Sequence, residues 1–227
     1  MSTSFNPNDR YLISYLTLRK TVGIMGMALP FVLMMGFFLL ESNCKFPPSI
    51  SHFFYTKMGN VFVGVLCAVS LFLFAYNGYD EKDKWAAKIA GFFAFCVAIF
   101  PTDYNSYAPI DCSRMTKVEH AFANGMHYGS AVLLFLTLAY FCLFLFTKTD
   151  KHGKAKGNKL VRNKVYITCG IIIIISIAGM AVIGIVPAWY QAVKHLKPIY
   201  VLETVALLAF GYSWLIKGET FFKDKVV

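Results

Sequence analysis

The sequence predicts an all-α fold: a polytopic membrane protein built as a six-transmembrane-helix bundle with both termini cytoplasmic. Three observations carry that prediction. Hydrophobic residues make up 57% of the 227-residue chain and charged residues only 15%, where a soluble domain is about 25% charged. Six apolar runs follow one another, and a helix needs about 20 such residues to cross a bilayer. The 22 basic residues fall unevenly, 16 in the two ends and the alternate links against 6 in the remaining links. The positive-inside rule then places both ends in the cytoplasm. Short alternating strands of the barrel kind are not seen.

The elements follow in order. Residues 1–20 form a cytoplasmic or interfacial N-terminus, in which Tyr11, Leu12, Ile13, Tyr15 and Leu16 give a short amphipathic lead-in. The transmembrane domain spans 21–216 and a cytoplasmic tail spans 217–227. Thr21–Leu40 is the first run and has no charge. No small-residue cleavage site follows it, so it reads as a retained span. Gly59–Tyr79 is the second. Trp85–Phe100 is the third and weakest, because Lys88 must carry its ammonium out to the headgroups. Ala121–Thr147, Val165–Val193 and Pro198–Ile216 complete the set. The links expected on the cytoplasmic side are a turn at Asp80–Lys84 and a lysine-rich connector at Lys148–Lys164. The connector satisfies topology and attracts anionic lipid heads. It offers no aromatic stacking platform, so no nucleic-acid partner is expected.

The outward links are longer and aromatic. The first contains Pro47-Pro-Ser-Ile-Ser-His-Phe-Phe-Tyr-Thr-Lys57. Of six cysteines, Cys67, Cys96, Cys142 and Cys169 fall within apolar runs and act as fillers. Cys44 and Cys112 alone fall in outward links, where an oxidising compartment favours a Cys44–Cys112 disulfide. No Cys-x-x-Cys occurs, which leaves a thiol oxidoreductase or a zinc ribbon without support.

Ionisable side chains at membrane depth are costly and mark candidate sites. Glu203 in the sixth run and His127 in the fourth both fall in the outer half of the bilayer. The stripe His120, Asn124, His127 recurs at helical spacing. Ser49, Ser51, His52 and Tyr55 from the first outward link, with Asp103 after Pro101, complete a candidate ligand-binding set with His127 and Glu203. Within it, His52, Asp103, His127 and Glu203 form a mixed imidazole and carboxylate group that would suit zinc or another transition metal. A metal there would activate water for hydrolysis. The alternative is a hydrogen-bonded network that locks helices to loops.

Several segments carry a resemblance: Ser14-Tyr-Leu-Thr-Leu-Arg-Lys20, Ser49-Ile-Ser-His-Phe-Phe-Tyr-Thr56, Val61-Phe-Val-Gly-Val-Leu-Cys67, Phe72-Leu-Phe-Ala-Tyr-Asn-Gly-Tyr-Asp80, Phe100-Pro-Thr102, Leu143-Phe-Leu-Phe-Thr-Lys-Thr149 and Ser213-Trp-Leu-Ile-Lys-Gly-Glu219. The chain resembles a family of uncharacterised bacterial six-helix membrane proteins, a domain of unknown function. That resemblance implies a six-helix bundle with cytoplasmic ends in a bacterial inner membrane, and no known chemistry. In architecture alone the chain also resembles the group of autophagy-modulating and GPI-anchor-remodelling membrane proteins. It is similar, too, to intramembrane hydrolases of the alkaline ceramidase and adiponectin-receptor type. It departs from them in lacking a His-x-x-x-His near its C-terminus and in having six runs rather than seven.

Three functional readings result. The first is an outward polar pocket that binds a small molecule, lipid headgroup or ion in a sensing or transport role. The second is a metal-dependent hydrolase of lipids using His52, Asp103, His127 and Glu203. The third is a structural or partner-binding membrane protein whose polar groups only join helices. With no internal repeat or paired broken helices, a secondary carrier is disfavoured.

Overall fold

The computed structural model describes residues 7–41, 44–78, 80–103, 121–148 and 157–222. All regular structure among them is helical. Seven α-helices follow: α1 (Pro7–Leu40), α2 (Gly59–Ala75), α3 (Glu81–Ile99), α4 (Ala121–Tyr140), α5 (Asn158–Ile185), α6 (Pro187–Val193) and α7 (Pro198–Lys217). The Asp80 carboxylate caps α3 by accepting the Asp83 N–H at 3.0 Å. One wide π-turn, Phe141–Leu145, extends α4 by a further five residues. Four helical stretches are long and apolar enough to cross a membrane: Tyr15–Leu40, Ala121–Leu145, Asn158–Ile185 and Pro198–Lys217. Helix α2 is apolar but shorter, at 17 residues, and α3 opens on Glu81-Lys-Asp-Lys84. The lengths suit a multi-pass membrane protein with a helical bundle.

Two boundaries differ from the sequence expectation, each for a local reason. The fifth run is not one helix. It breaks at Val186, which takes φ −110° and ψ 91°, because a residue preceding proline is driven out of the α region. Helix α6 then starts on Pro187. At the other end, the expected interfacial lead-in is instead the first part of α1, which runs unbroken through it. Tyr15 stacks on Tyr76 beyond the end of α2, with ring centroids 5.3 Å apart. Arg19 is buried, its guanidinium 4.2 Å from the Tyr15 ring, and it donates to the Lys217 carbonyl and the Tyr76 hydroxyl, each at 3.2 Å. This part of α1 therefore belongs to the bundle.

The six longer helices close a ring. Each of α1 to α5 packs on the next, α5 packs on α7, and α7 returns to α1; α6 leans on α5. At the end of the ring carrying Arg19, here the basic end, Lys148 bridges Asp80 and Asp83 at 2.8 and 2.7 Å and so ties the end of α4 to the start of α3. Trp214 is fully buried beside Tyr76, Phe141, Phe146 and Phe210. The opposite end carries the link 44–58 and is the loop end.

The α1–α7 seam depends on glycine. A Cβ built on Gly211 would stand 2.5 Å from the Gly23 carbonyl oxygen and 2.3 Å from Met27 Cγ. Small residues let membrane helices approach this closely. Gly64 on α2 has open space around its Cβ position. Gly211→Ala is therefore expected to lower thermal stability in detergent by about 1–3 kcal/mol. Gly64→Ala is expected to leave it unchanged or raise it by up to about 1 kcal/mol.

Candidate functional site

At the loop end, the segment 44–58 does not lie loosely above the bundle. Most of its residues from Pro47 to Met58 are buried, Lys57 being exposed, and four fixings hold it. Glu203, in the second turn of α7, accepts the Ile50 N–H, and the Ser51 hydroxyl also serves that carboxylate. Glu41, just past α1, is buried and accepts the Lys57 N–H at 2.9 Å. Lys197 donates its ammonium to the Phe46 carbonyl at 2.6 Å, and the Tyr200 N–H donates to the Pro48 carbonyl at 3.1 Å. Phe37, Phe46, Phe53 and Tyr200 pack edge to face around these bonds. The turn Ser51–Tyr55 is a single stretch of 3₁₀ helix.

Under this plug lies a cavity of about 320 Å³. Ser49, Ser51, His52, His127 and Glu203 make its polar end. Its walls are mostly apolar and come from α4 (Tyr128, Ala131, Val132, Phe135), α5 (Ile177, Met180, Ala181, Gly184, Ile185) and Ile199 of α7. Helices α4 and α7 touch only sparsely across it. Val132 is 45% exposed and Ile185 78%, so the apolar end opens sideways between α4 and α5 onto the surface that would meet lipid.

Five of the seven residues selected from the sequence thus line one cavity. The other two stand behind it. The Tyr55 hydroxyl donates to the Thr102 carbonyl at 2.6 Å and anchors the turn to the end of α3. The Asp103 N–H donates to the Asn124 side chain at 2.9 Å, which joins the start of α4 to the segment after α3. His127 is buried against the carbonyl of Phe100, 2.7 Å from its Nδ1, and so takes up a helix-end acceptor. His120 and Cys112 lie outside the described residues, and the Cys44–Cys112 pair with them. No two of the described cysteines stand at disulfide distance.

The expected metal set is corrected by the geometry. Among the described residues, no three His, Cys, Asp or Glu side chains converge as ligands would. The reason is local. Glu203 turns to the Ile50 N–H and His127 to the Phe100 carbonyl, so these two groups face different partners.

His52 is the most constrained of the polar groups. Its Nδ1 lies 2.6 Å from Ser49 Oγ, which also accepts the His52 N–H at 3.3 Å. Burial pushes its pKa down to about 4, and the neighbouring His127 adds to that; the Asp103 backbone, an acceptor for the ring, works the other way. The imidazole is neutral at pH 7. Its Nδ1 then accepts from the Ser49 hydroxyl when the second nitrogen holds the proton.

No protein-family model, curated protein or solved structure matches the chain. The resemblance to an uncharacterised six-helix family rests on the quoted segments alone.

The His52 pKa carries a sign. The unfolded ring gains its proton through about pH 6.5, and the folded ring only near 4. Stability from this group is therefore full above pH 6.5 and is lost as pH falls toward 4, on the order of 3 kcal/mol. The melting temperature is expected to fall across that window, and His52→Gln to flatten the fall.

Proposed function

We propose that this is a six-span membrane protein, both ends cytoplasmic, whose outward cavity binds an amphiphilic small molecule or lipid in a sensing or transport role. The carrying observation is the shape of the cavity's chemistry. Five polar side chains gather at its buried end, while three helices supply an apolar trough that opens onto the lipid-facing surface. A polar head with an apolar tail satisfies both ends, whereas an ion alone would leave the trough empty. Ligand sites of this kind are mostly apolar with a few convergent polar groups.

The metal-hydrolase alternative is less well supported, because the four residues it needs do not converge. The purely structural alternative accounts for Glu41, Tyr55 and Asn124, each of which joins a loop to a helix. It does not account for a cavity left beside Glu203 in a tightly packed bundle.

Two experiments address this reading. Ala131 lines the trough, and Ala131→Phe would fill it. Mass spectrometry of the protein extracted in mild detergent is expected to show a co-purifying amphiphile in the wild type and its loss in Ala131→Phe; the same bound species in both would refute the cavity as its site. For topology, single cysteines near either chain end are expected to resist a membrane-impermeant maleimide in intact cells, and one at Lys57 to react. The reverse pattern would invert the assigned orientation.

A further inference from the structure

The polar end of the cavity is one-sided in charge. Glu203 supplies a carboxylate, Ser49 and Ser51 supply hydroxyls, and the two histidines supply imidazoles. Among the described residues lining it there is no lysine or arginine. The nearest described cation on α7 is Lys197, which spends its ammonium on the Phe46 carbonyl of the plug. His52, held neutral by burial, adds no positive charge at pH 7. An anionic head placed here would find no cationic side chain among the described lining residues, and a buried unpaired charge is costly.

The carboxylate also has unused capacity. Two carboxylate oxygens offer about four lone-pair sites. Ile50 and Ser51 engage this group from the plug side, and Glu203 lines the cavity as well. A protonated amine brings three donors and no acceptor. It could give one to Glu203 and others to the hydroxyl or imidazole acceptors around it. The α4–α5 walls are mostly apolar, with Tyr128 the one residue among them that carries a hydroxyl.

Building on the amphiphile reading above, we infer that the cavity selects a single-chain amphiphile with a protonated amine head. Glu203 is its counter-charge and the α4–α5 trough its tail site. Phosphate and carboxylate heads are disfavoured by the same residues. Glu203 is then a specificity-determining residue as well as the anchor of the plug. The two roles separate in Glu203→Gln, which keeps an oxygen for the Ile50 N–H and removes the charge.

The test uses the full chain in phosphatidylcholine nanodiscs. Dodecylamine, dodecanol and dodecanoic acid, each with a diazirine on the chain, are photocrosslinked over a concentration series. Peptide mass spectrometry then locates the adducts. The amine is expected to label the α4 and α5 segments at about tenfold lower concentration than the alcohol, the scale of one charge-assisted hydrogen bond. The acid should label least. In Glu203→Gln the amine's advantage should vanish while labelling by the alcohol persists, which also shows that the variant is folded. If the alcohol or the acid matches the amine in the wild type, or if the advantage survives Glu203→Gln, the head assignment is overturned and the amphiphile site stands. If no probe labels α4 or α5, both fall. Should Glu203→Gln lose labelling by every probe, the wild-type ranking alone decides.

Discussion

The loop end of this protein depends on one hydrogen bond: the carboxylate of Glu203, set into a helix long and apolar enough to cross a membrane, accepts the main-chain N–H of Ile50. A carboxylate at such a position needs a donor, and a loop buried between helix ends needs acceptors for its N–H groups. Each meets the other's requirement. Glu41 repeats the arrangement with the Lys57 N–H. Two carboxylates, one at the end of α1 and one near the start of α7, thereby fasten both halves of the segment 44–58. The plug then closes the end of the ring and roofs the cavity.

The same arrangement accounts for what the cavity can do. Glu203 is turned to the plug on one side, and among the described residues it forms no converging group of three ligands with His127 and His52. Because α4 and α7 are kept apart beneath the plug, the space between them remains, and α5 supplies its far wall. The basic end shows the contrast. There Lys148, Asp80 and Asp83 pair directly, with the Lys148 hydrogen bond holding the Asp80 carboxyl below its usual range, while Trp214 and its aromatic neighbours fill the interior. Aromatic side chains fill the bundle around Trp214, whereas beneath the plug a cavity with polar side chains remains.

Much of this was legible in the sequence, and the limits have physical reasons. Ser49, Ser51, His52, His127 and Glu203 could be grouped because polar residues are conspicuous in apolar runs and because span parity puts them at one end. The apolar walls could not. Ile177, Met180, Ala181 and Gly184 recur at helical spacing, yet a stripe facing a cavity has the same composition as one facing lipid. Glu41 directly follows the first apolar run, and nothing local in the sequence tells of its contact with Lys57. Tyr55 and Asp103 have the right chemistry for a site, but their partners, Thr102 and Asn124, are helix-end groups whose needs appear only once the chain is folded. The break at Val186 was readable from Pro187. The burial of Arg19 was not, because the Tyr76 hydroxyl and the Lys217 carbonyl that it bonds are remote from it in sequence.

The plug held by Glu203 roofs a cavity whose walls reach the outer surface of α4 and α5. A high-resolution density map of the protein in lipid nanodiscs tests it most directly. Ile50 is expected on the Glu203 carboxylate, with elongated density running from that group between α4 and α5. A map in which Glu203 faces bulk lipid, or in which Phe135 and Met180 close together with no space beside it, would rule the site out.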